Sequence, residues 1–484
     1  MKQRTKHLIL IIALFLTTAL LLTGFAVYSS SFNTPNPSPL SLNEELSLYN
    51  SIEKAHPASI LQNLPYPVIP AELPVQAYSA VVIDASNGCV LYEKNADALI
   101  PPASMTKLVV MYVVFEEIQS GRISLNDIVP LQKEAWAKNA PPNSSLMFLG
   151  EGQTVSLDEL LTGLAVVSGN DAAVAVAQYI SGSMDKFIDR MNLCVRSLGL
   201  TQTRFVESSG YSELNMTTPR EFASFCKTYL EKFPDSLERY HSIESFTYPK
   251  AHNLKEGLTY TLALESGNAL EGTLPITQYA TNKTLGKIDG ADGIKTGFIY
   301  ESGYNLALTV KRDGTRFISV TMGGPGRGSV QGNEIRLKDA KTIMDWAFNT
   351  FKTVSLQDTV IYQLPVFYGK ENALSIVESP YFSRTHTITI PLIAGFREGM
   401  VKLEKKIELP DYIEAPIKAG DIVGYCRYML GSICIETTEL ISSRSIEKAS
   451  FIKTAVDSAA EFLYKRKTSS INQLQEQYRS PLTK

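Results

Sequence analysis

The stretch PPASMTKLVV, residues 101–110, places Ser104 three residues before Lys107 at the start of an apolar run. Residues three apart on a helix share a face, so the lysine amine can reach the serine hydroxyl as a base reaches its nucleophile. The spacing alone decides little, because the chain contains five other S-x-x-K pairs and such pairs commonly lie on helix surfaces. The meaning of this pair depends on the elements around it.

The pattern around this stretch changes from strand to helix. Residues 77–96 hold two β-rich runs on either side of a turn at residues 86–88, which predicts a hairpin. From Met105 to Gly121, apolar residues occupy nearly every face of a helix, which predicts that this helix is buried. Ser104 and Lys107 are therefore predicted to lie where a buried helix begins.

The next helical region contains a break. Ser156 and Glu159 form a capping box before an apolar run. The run is interrupted at Ser168-Gly169-Asn170, and a second helix is predicted from about Asp171. Taken alone, Ser168 and Asn170 fit a helix cap as well as a functional site.

Strands return later in the chain. Lys295-Thr296-Gly297 lies on a predicted strand, and the hairpin that follows turns at Asp313-Gly314. A helix near residues 335–351 closes this part of the chain. Strands at both ends with helices between them predict an α+β fold, in which an antiparallel sheet carries helices on its faces and a helical subdomain is attached.

The C-terminal third has a different character. From about residue 356, short alternating runs separated by Gly and Pro predict a small all-β domain. Cys426 and Cys434 flank a predicted turn at Leu430-Gly431 that would bring them opposite each other. Residues 446–463 have the pattern of a helix with one apolar face, followed by basic residues. Such a helix could lie on a membrane surface or pack on the β domain. The residues of the apolar face are Ile446, Ala449, Ile452, Val456, Ala459 and Leu463.

The N-terminus predicts export. Three basic residues precede the uncharged stretch 8–27, which at about 20 residues is long enough to span a bilayer. A cleaved signal peptide and an uncleaved anchor both fit this pattern. The Ser- and Pro-rich segment up to residue 75 predicts a linker.

The composition excludes two classes of function. The chain has 46 basic and 49 acidic side chains, so no net positive charge attracts nucleic acid. The five cysteines form no C-x-x-C pair, so no zinc site is predicted, and no other motif predicts a metal or a cofactor.

Three weak motifs gain specificity from their order and from the elements that carry them. S-x-x-K at Ser104, S-G-N at Ser168 and the single K-T-G at Lys295 together resemble the motifs of the penicilloyl serine transferases. Flanking stretches such as SGNDAAVAVAQYISGSMDKFIDRMN and DGIKTGFIYESGYNLALT resemble the D-alanyl-D-alanine carboxypeptidases of the low-molecular-mass penicillin-binding protein family. The similarity runs from about residue 77 to residue 349, and the β-rich part resembles the C-terminal domain of that family.

The resemblance implies an organisation as well as a fold. A β-lactamase/transpeptidase-like domain would be followed by a small all-β domain. The predicted segments are a signal peptide or anchor (1–28), a linker (29–75), a penicillin-binding D,D-peptidase domain (76–352), a β domain (353–445) and an amphipathic, basic-ended tail (446–484). The protein would be exported and attached to the outer face of the cytoplasmic membrane.

The resemblance also implies a serine-type D-Ala-D-Ala carboxypeptidase. It would remove the terminal D-alanine from peptidoglycan stem pentapeptides through an acyl-enzyme on Ser104, and β-lactam antibiotics would be its covalent inhibitors. Lys107 would act as the base, because none of the five histidines lies near a motif, and burial together with the cation Lys295 would lower its pKa. Ser168 would relay a proton to the leaving amine, and Asn170 would bond Lys107 or the substrate amide.

Four residues would bind the substrate. Lys295 and Thr296 would receive the terminal carboxylate, and Gly297 would let the strand backbone come close to the substrate. By the same resemblance, the backbone N–H groups of Ser104 and Phe298 would form the oxyanion hole.

Other interpretations stay open at the level of sequence. A serine β-lactamase of class A carries the glutamate of an E-x-x-L-N motif; here Tyr211 occupies that place and Glu213 has the wrong offset. A catalytically silent cell-wall-binding scaffold would keep the fold without the reaction. A D,D-transpeptidase would use the same acyl-enzyme.

Overall fold

The computed structural model describes residues 61–254, 260–263, 269–272, 275–355, 362–378, 387–392, 403–462 and 464–465. The apolar stretch 8–27, the first part of the predicted linker and the end of the tail lie outside the described residues. Residues 62–63, within the predicted linker, form a short strand that pairs in parallel with residues 89–90.

A six-stranded sheet forms the centre of the N-terminal part. Its strand order is β1-β3-β2-β10-β9-β8, and all neighbours except β1 and β3 are antiparallel. The strands are β1 (Gln62–Asn63), β2 (Ser79–Asp84), β3 (Cys89–Lys94), β8 (Ala291–Ile299), β9 (Gly303–Arg312) and β10 (Thr315–Gly324). The predicted hairpins at residues 77–96 and 305–321 are both confirmed as β2–β3 and β9–β10, and β8, which carries K-T-G, is the edge strand.

Both faces of this sheet are covered because its strands alternate. On β2, Val81 and Ile83 belong to one apolar core, whereas Ala80 and Val82 belong to another. Side chains one residue apart on a strand point to opposite faces, so an uninterrupted apolar strand predicts two cores. The sheet is therefore the middle layer of three.

Helices fill the first core. They are α1 (Thr106–Gln119), α2 (Leu157–Thr162), α3 (Asn170–Ser181), α4 (Met184–Ser197) and α5 (Pro219–Lys232). The predicted capping box of Ser156 and Glu159 is present at α2, and α1 is buried along nearly its whole length. The predicted α+β architecture, with helices on the faces of an antiparallel sheet and a helical subdomain, is confirmed.

One long helix, α6 (Gly328–Thr350), covers the other face. It begins at Gly328 rather than near residue 335, where the prediction placed it. The glycines ahead of Ile335 favour a loop in the sequence. Gly332 is nevertheless helical, and the ring of Tyr304 packs so closely there that a Cβ would stand only 2.0 Å from it.

The short elements between these complete the N-terminal part. The small strands are β4 (Ser245–Tyr248), which pairs with β7 (Ile276–Tyr279), and β5 (Tyr260–Ala263), which pairs with β6 (Ala269–Gly272). Single helical turns lie at Ala103–Met105, Lys133–Ala135, Ala137–Asn139, Gly163–Val167, Leu237–His241 and Ala251–Asn253.

The C-terminal part is built from strands. A second six-stranded sheet has the order β15-β17-β18-β13-β12-β16, and β11 pairs with β14 beside it. The strands are β11 (Phe351–Ser355), β12 (Tyr362–Phe367), β13 (Ala373–Glu378), β14 (Thr387–Pro391), β15 (Leu403–Glu408), β16 (Ile413–Glu414), β17 (Ile422–Leu430) and β18 (Ile433–Ser442). The predicted all-β character of this part is confirmed.

A buried carboxylate joins the two parts. Asp84, at the end of β2, accepts hydrogen bonds from the hydroxyls of Thr353 on β11 (2.7 Å) and Thr389 on β14 (2.8 Å). The hydroxyl of Tyr66 also donates to the carbonyl oxygen of Thr389 at 2.8 Å. Strand β14 is thus tied to the central sheet by Asp84 and to the segment between β1 and β2 by Tyr66.

The turn between Cys426 and Cys434 does not bring them opposite each other, contrary to the prediction from the sequence. Leu430 pairs with Ile433, so the turn of the β17–β18 hairpin lies one residue later than predicted, at residues 431–432. In this register Cys434 faces Met429, and Cys426 faces Thr438. Cys426 is buried, Cys434 is exposed, and both are free thiols.

The helix at the end of the described chain, α7 (residues 451–462), turns its polar side inward. Asp457 accepts a hydrogen bond from the backbone N–H of Tyr368, and Glu461 accepts bonds from the hydroxyls of Tyr368 and Tyr412. Its apolar side faces solvent; the exposed residues are Phe451, Ile452, Val456 and Phe462. The prediction placed Ile446 and Ala449 on this helix, but both precede it, and Ile446 is buried in a β-bridge with Ile417.

Candidate active site

Ser104 and Lys107 lie where the sequence predicts them. Ser104 is in the single turn Ala103–Met105, directly before α1, and Lys107 is in the first turn of α1. Lys107 Nζ lies 3.1 Å from Ser104 Oγ, and the lysine is fully buried. Ala103 has a φ of 51°, a left-handed conformation that costs energy for a residue with a side chain and that recurs at functional sites.

The S-G-N tripeptide points its side chains at the lysines. The turn Gly163–Val167 ends at Ser168, whose φ is 64°, and α3 begins at Asn170 with no side-chain cap. Asn170 Oδ1 instead accepts a hydrogen bond from Lys107 Nζ at 2.7 Å, and its amide nitrogen donates to Ser144 Oγ at 3.1 Å. The interpretation of these residues as a helix cap is therefore wrong.

Strand β8 brings the K-T-G residues to the same place. Lys295 Nζ donates to Ser168 Oγ at 3.0 Å, and Thr296 Oγ1 donates to Thr281 Oγ1 at 3.0 Å. Gly297 lies against the backbone of residues 102–104. The three motifs, far apart in the sequence, thus surround one site between α1, the start of α3 and the free edge of β8.

A cavity of about 720 Å³ opens beside Ser104. Its wall contains Ser168, Thr296 and Gly297, and its mouth contains Phe298 and Tyr300. Phe298 packs against Tyr304 with ring centroids 4.4 Å apart and is 40% exposed, while Tyr300 is 84% exposed. All the predicted site residues except the buried Lys107, Asn170 and Lys295 line this cavity, and those three stand behind its wall.

Electrostatics distinguish the two lysines. Burial lowers the pKa of Lys107 to about 7, against the opposing effect of the carboxylates Glu207 and Asp171. Burial, Lys107 and Arg336 together hold the pKa of Lys295 well below its usual value. The predicted lowering at Lys107 is present, but burial is its main cause, and the repulsion between the lysines acts on the Lys295 side.

No histidine competes for the role of base in the part of the chain that the structure describes. His241 is buried next to Tyr229, and burial lowers its pKa to about 3, so it is neutral. It does not line the cavity. His252 pairs with Glu159 at the surface.

The sequence did not reveal one acceptor of Lys107, nor the residue that holds this acceptor in place. Lys107 Nζ donates to the backbone carbonyl of Ser209 at 2.5 Å, and Glu207 organises the loop that holds this carbonyl. A backbone carbonyl leaves no signal in a sequence, and Glu207 belongs to no motif. Tyr211 and Glu213, the positions weighed for a β-lactamase, are both exposed and do not line the cavity.

Arg336 was also not predicted. It lies on α6, lines the cavity, is almost fully buried, and donates to the carbonyl oxygens of Asn305 at 3.1 Å and Gly297 at 3.5 Å. Its guanidinium stands over the ring of Tyr304. Among the described residues, no carboxylate forms a salt bridge with it, so the cavity holds an uncompensated cation beside the Gly297 carbonyl.

Comparison with known proteins agrees with this geometry. Residues 67–326 match the family described as D-alanyl-D-alanine carboxypeptidase, and residues 348–448 match the family described as penicillin-binding protein 5, C-terminal domain. The first match alone covers more than half of the chain.

The alignments with individual relatives cover most of each relative's length. The chain is 30% identical over 384 residues to D-alanyl-D-alanine carboxypeptidase DacC of Escherichia coli. This alignment covers 78% of this chain and 86% of the relative. The chain is 29% identical over 387 residues to DacF of Bacillus subtilis, at 79% and 89% coverage. Penicillin binding protein 5 from Haemophilus influenzae superposes with a TM-score of 0.62 at 28% identity, over 79% of this chain and all of that structure.

Proposed function

The chain belongs to the D-alanyl-D-alanine carboxypeptidase family, and from this membership we propose how its own residues carry out the reaction. It is a serine-type D-Ala-D-Ala carboxypeptidase. The observation that carries the proposed mechanism is the pair at the start of α1, where a fully buried lysine lies 3.1 Å from Ser104 Oγ. A lysine with a pKa of about 7 is neutral often enough near that pH to take the serine proton.

The acceptors around Lys107 orient its lone pair. As an ammonium it can donate to three partners, and three are present: Ser104 Oγ, Asn170 Oδ1 and the Ser209 carbonyl. As a neutral amine it keeps two N–H groups. Because the amide and carbonyl oxygens can only accept, these two N–H groups point at them, and the lone pair is left for the hydroxyl proton of Ser104.

Attack would then proceed in balanced steps. Ser104 Oγ forms an ester bond to the carbonyl carbon of the penultimate D-alanine, its proton passes to Lys107, and the C–N bond to the terminal D-alanine breaks. The leaving nitrogen takes a proton from Ser168, which is replaced from Lys295, its donor at 3.0 Å. Water then attacks the ester carbon and its proton passes through Ser168 to Lys295, while the bond from Ser104 Oγ to that carbon breaks and Ser104 Oγ takes back the proton held by Lys107. Ser104, Lys107 and Lys295 thereby return to their starting states.

The terminal carboxylate of the substrate would meet two cations and a hydroxyl. Thr296 and Arg336 line the cavity and Lys295 lies behind its wall; both cations have a lowered pKa because they are buried without a carboxylate partner among the described residues. An arriving carboxylate supplies the missing countercharge. The backbone N–H groups of Ser104 and Phe298 would stabilise the oxyanion.

Peptidoglycan stem pentapeptides are the proposed substrates, and β-lactams the proposed covalent inhibitors. The described loop 207–215 places no free carboxylate at the cavity, so we expect the penicilloyl ester to be hydrolysed slowly, unlike that of a class A β-lactamase.

The test uses the full-length chain, purified in detergent and briefly exposed to benzylpenicillin. Intact-mass spectrometry should show one penicilloyl adduct on the wild type and none on Ser104→Ala, and only the wild type should release D-alanine from a D-Ala-D-Ala peptide. No adduct with intact antibiotic would favour a silent scaffold. Rapid destruction of the antibiotic would favour a β-lactamase.

Membrane attachment is the second part of the proposal. None of the helices that the structure describes is long and apolar enough to cross a bilayer. However, α7 keeps its carboxylates on the β-rich part and presents its apolar side outward, as a helix lying in a membrane interface does. We propose that the protein works outside the cytoplasmic membrane, held by its N-terminal segment, by α7 or by both.

Truncation tests the contribution of α7. The chain should end at residue 450, because Ile446 is buried in the β-rich part and an earlier end would disturb it. In a protein whose N-terminal segment has been cleaved, loss of residues 451–484 should release it from membranes. Retention on the membrane would exclude α7 as the anchor.

A further inference from the structure

Glu207 lies outside all three motifs, yet its carboxylate shapes a loop at the active site. One oxygen accepts bonds from the backbone N–H and the hydroxyl of Ser209, each at 2.6 Å. The other accepts from the backbone N–H of Gly210 at 2.7 Å and from Asn215 Nδ2 at 2.8 Å. Residues 207–215 are therefore folded around this side chain.

The loop rests on the nucleophile's own turn. A Cβ on Gly210 would stand 1.9 Å from the carbonyl oxygen of Ala103, the residue before Ser104. Asn215 Nδ2 also lies 3.2 Å from Thr106 Oγ1 in the first turn of α1. The loop thus contacts the chain on both sides of Ser104, at the Ala103 carbonyl and at the Thr106 hydroxyl.

The Ser209 carbonyl of this loop is one of the two acceptors that orient Lys107. The carboxylate of Glu207 holds the N–H and the hydroxyl of the same residue. Any shift of Glu207 therefore moves an atom that contacts the base directly.

Few charged groups face Lys107. Glu207 and Asp171 favour its charged form, and Lys295 faces it as a second cation. Asp171 has another task, because its oxygens accept bonds from the backbone N–H groups of Met147 (2.8 Å) and Leu149 (3.0 Å). Glu207 is the carboxylate whose loop also contacts the lysine.

We propose that Glu207 is a positioning residue for the acylation step, which holds the Ser209 carbonyl against Lys107 and supplies the negative charge that keeps this base strong. The inference rests on the proposed role of Lys107. Removal of the charge should weaken the base, so that it becomes neutral at lower pH, and removal of the loop's support should lower its efficiency.

The test measures the second-order rate of acylation by a fluorescent penicillin from pH 5 to pH 9, on the full-length chain. In Glu207→Gln, the midpoint of the acid limb should move to lower pH by about one unit or more, and the plateau should fall. In Glu207→Asp, which keeps the charge but shortens the reach, the midpoint should stay and the plateau should fall. Glu213→Gln removes an exposed carboxylate from the same loop and should match the wild type.

The outcomes separate the inference from the proposed function. A lower plateau with an unmoved midpoint in Glu207→Gln would make the residue merely structural and overturn the inference, as would an unchanged profile. If Glu207→Gln fails to fold, wild-type behaviour of Glu207→Asp in both midpoint and plateau would overturn it. NMR titration of the Lys107 amine, with its signal assigned by comparison with Lys107→Arg, measures the change in the Lys107 pKa in Glu207→Gln without any need for activity. It therefore tests the role of Glu207 even if the wild type forms no adduct and the proposed function fails.

Discussion

The α-carbon of Gly297 lies so close to Pro102 that a methyl group on it would stand 2.5 Å from the Pro102 carbonyl oxygen. The same methyl group would come within 3.2 Å of the backbone nitrogen of Ser104. Strand β8 and the turn that carries the nucleophile are therefore in backbone contact, and only glycine permits this contact.

Gly297→Ala should reduce acylation by benzylpenicillin at least about 100-fold, because β8 must move away from Ser104 and misplacement of about 1 Å can cost that much. The rate is measured by quenching the reaction at successive times and determining the amount of adduct by mass spectrometry. Gly314→Ala is the matched control. A methyl group at this position would meet no other atom, but the φ of 81° is unfavourable for alanine. This variant should lose about 1 kcal/mol of stability and keep its acylation rate. Equal rates in the two variants would contradict the contact.

Acylation should depend on pH through Lys107. Because burial lowers the lysine pKa to about 7, the neutral base predominates above that pH and is lost as pH falls through it. The acylation rate should therefore rise between about pH 6 and pH 8. Lys107→Arg, which stays protonated throughout this range, should be slow at every pH. A wild-type midpoint above pH 9 would argue against a lysine held neutral by burial.

Arg336→Gln should weaken recognition of a carboxylate. The wild type should acylate with benzylpenicillin faster than with its methyl ester, and the variant should lose roughly 10- to 100-fold of this preference, the range expected for a hydrogen bond to a charged group. The exposed Arg327→Gln provides a control on the same side of the cavity. Thermal unfolding measures any loss of stability caused by removing the bonds between Arg336 and backbone carbonyls. An unchanged preference for benzylpenicillin over its methyl ester, in a folded variant, would show that Arg336 does not bind the antibiotic's carboxylate.

Ile452→Asp should weaken binding to vesicles that contain anionic lipid about tenfold or more, because it places a charge on the apolar side of α7, where Ile452 is 77% exposed. Leu193→Asp, at a side chain 68% exposed on α4, is the matched control. Co-sedimentation of the chain that lacks residues 1–57 isolates the effect of α7. Equal binding by both variants would exclude this face of the helix.

The elements that carry the motifs could be predicted because local signals define them. The Ser86–Gly88 turn sets one hairpin, Asp313-Gly314 sets another, and the Ser156 capping box starts α2. The position of each motif residue follows from the helix or strand in which, or next to which, it lies. The resemblance of the three motifs, in this order, to those of a known family then predicted which elements meet.

The supporting groups at the site could not be predicted in this way. The Ser209 carbonyl acts through its backbone, and Arg336 comes from the helix on the opposite face of the sheet. Both reach the site only through tertiary packing. The error at Cys426 has a similar origin, since a turn displaced by one residue changes every cross-strand partner.

The orientation of α7 was undecided because its pattern fits two environments. Amphipathicity predicts which side chains share a face but not which face is buried. Tyrosine hydroxyls from the β-rich part select the side of Asp457 and Glu461. The helix therefore packs on the strands through its polar side, and contact of its exposed apolar side with a membrane stays a prediction.

If α7 holds the enzyme at a membrane, as proposed above, the joint at Asp84 would give it a fixed reach. Hydroxyls from β11 and β14 converge on one buried carboxylate at the end of β2, so the catalytic sheet cannot swing freely on the strands that lead to α7. For a protein attached to a surface by its far end, such a joint works as a spacer of constant length. The cleft would then meet the peptidoglycan at one set height, and the stem peptides at that depth of the wall would be the ones trimmed.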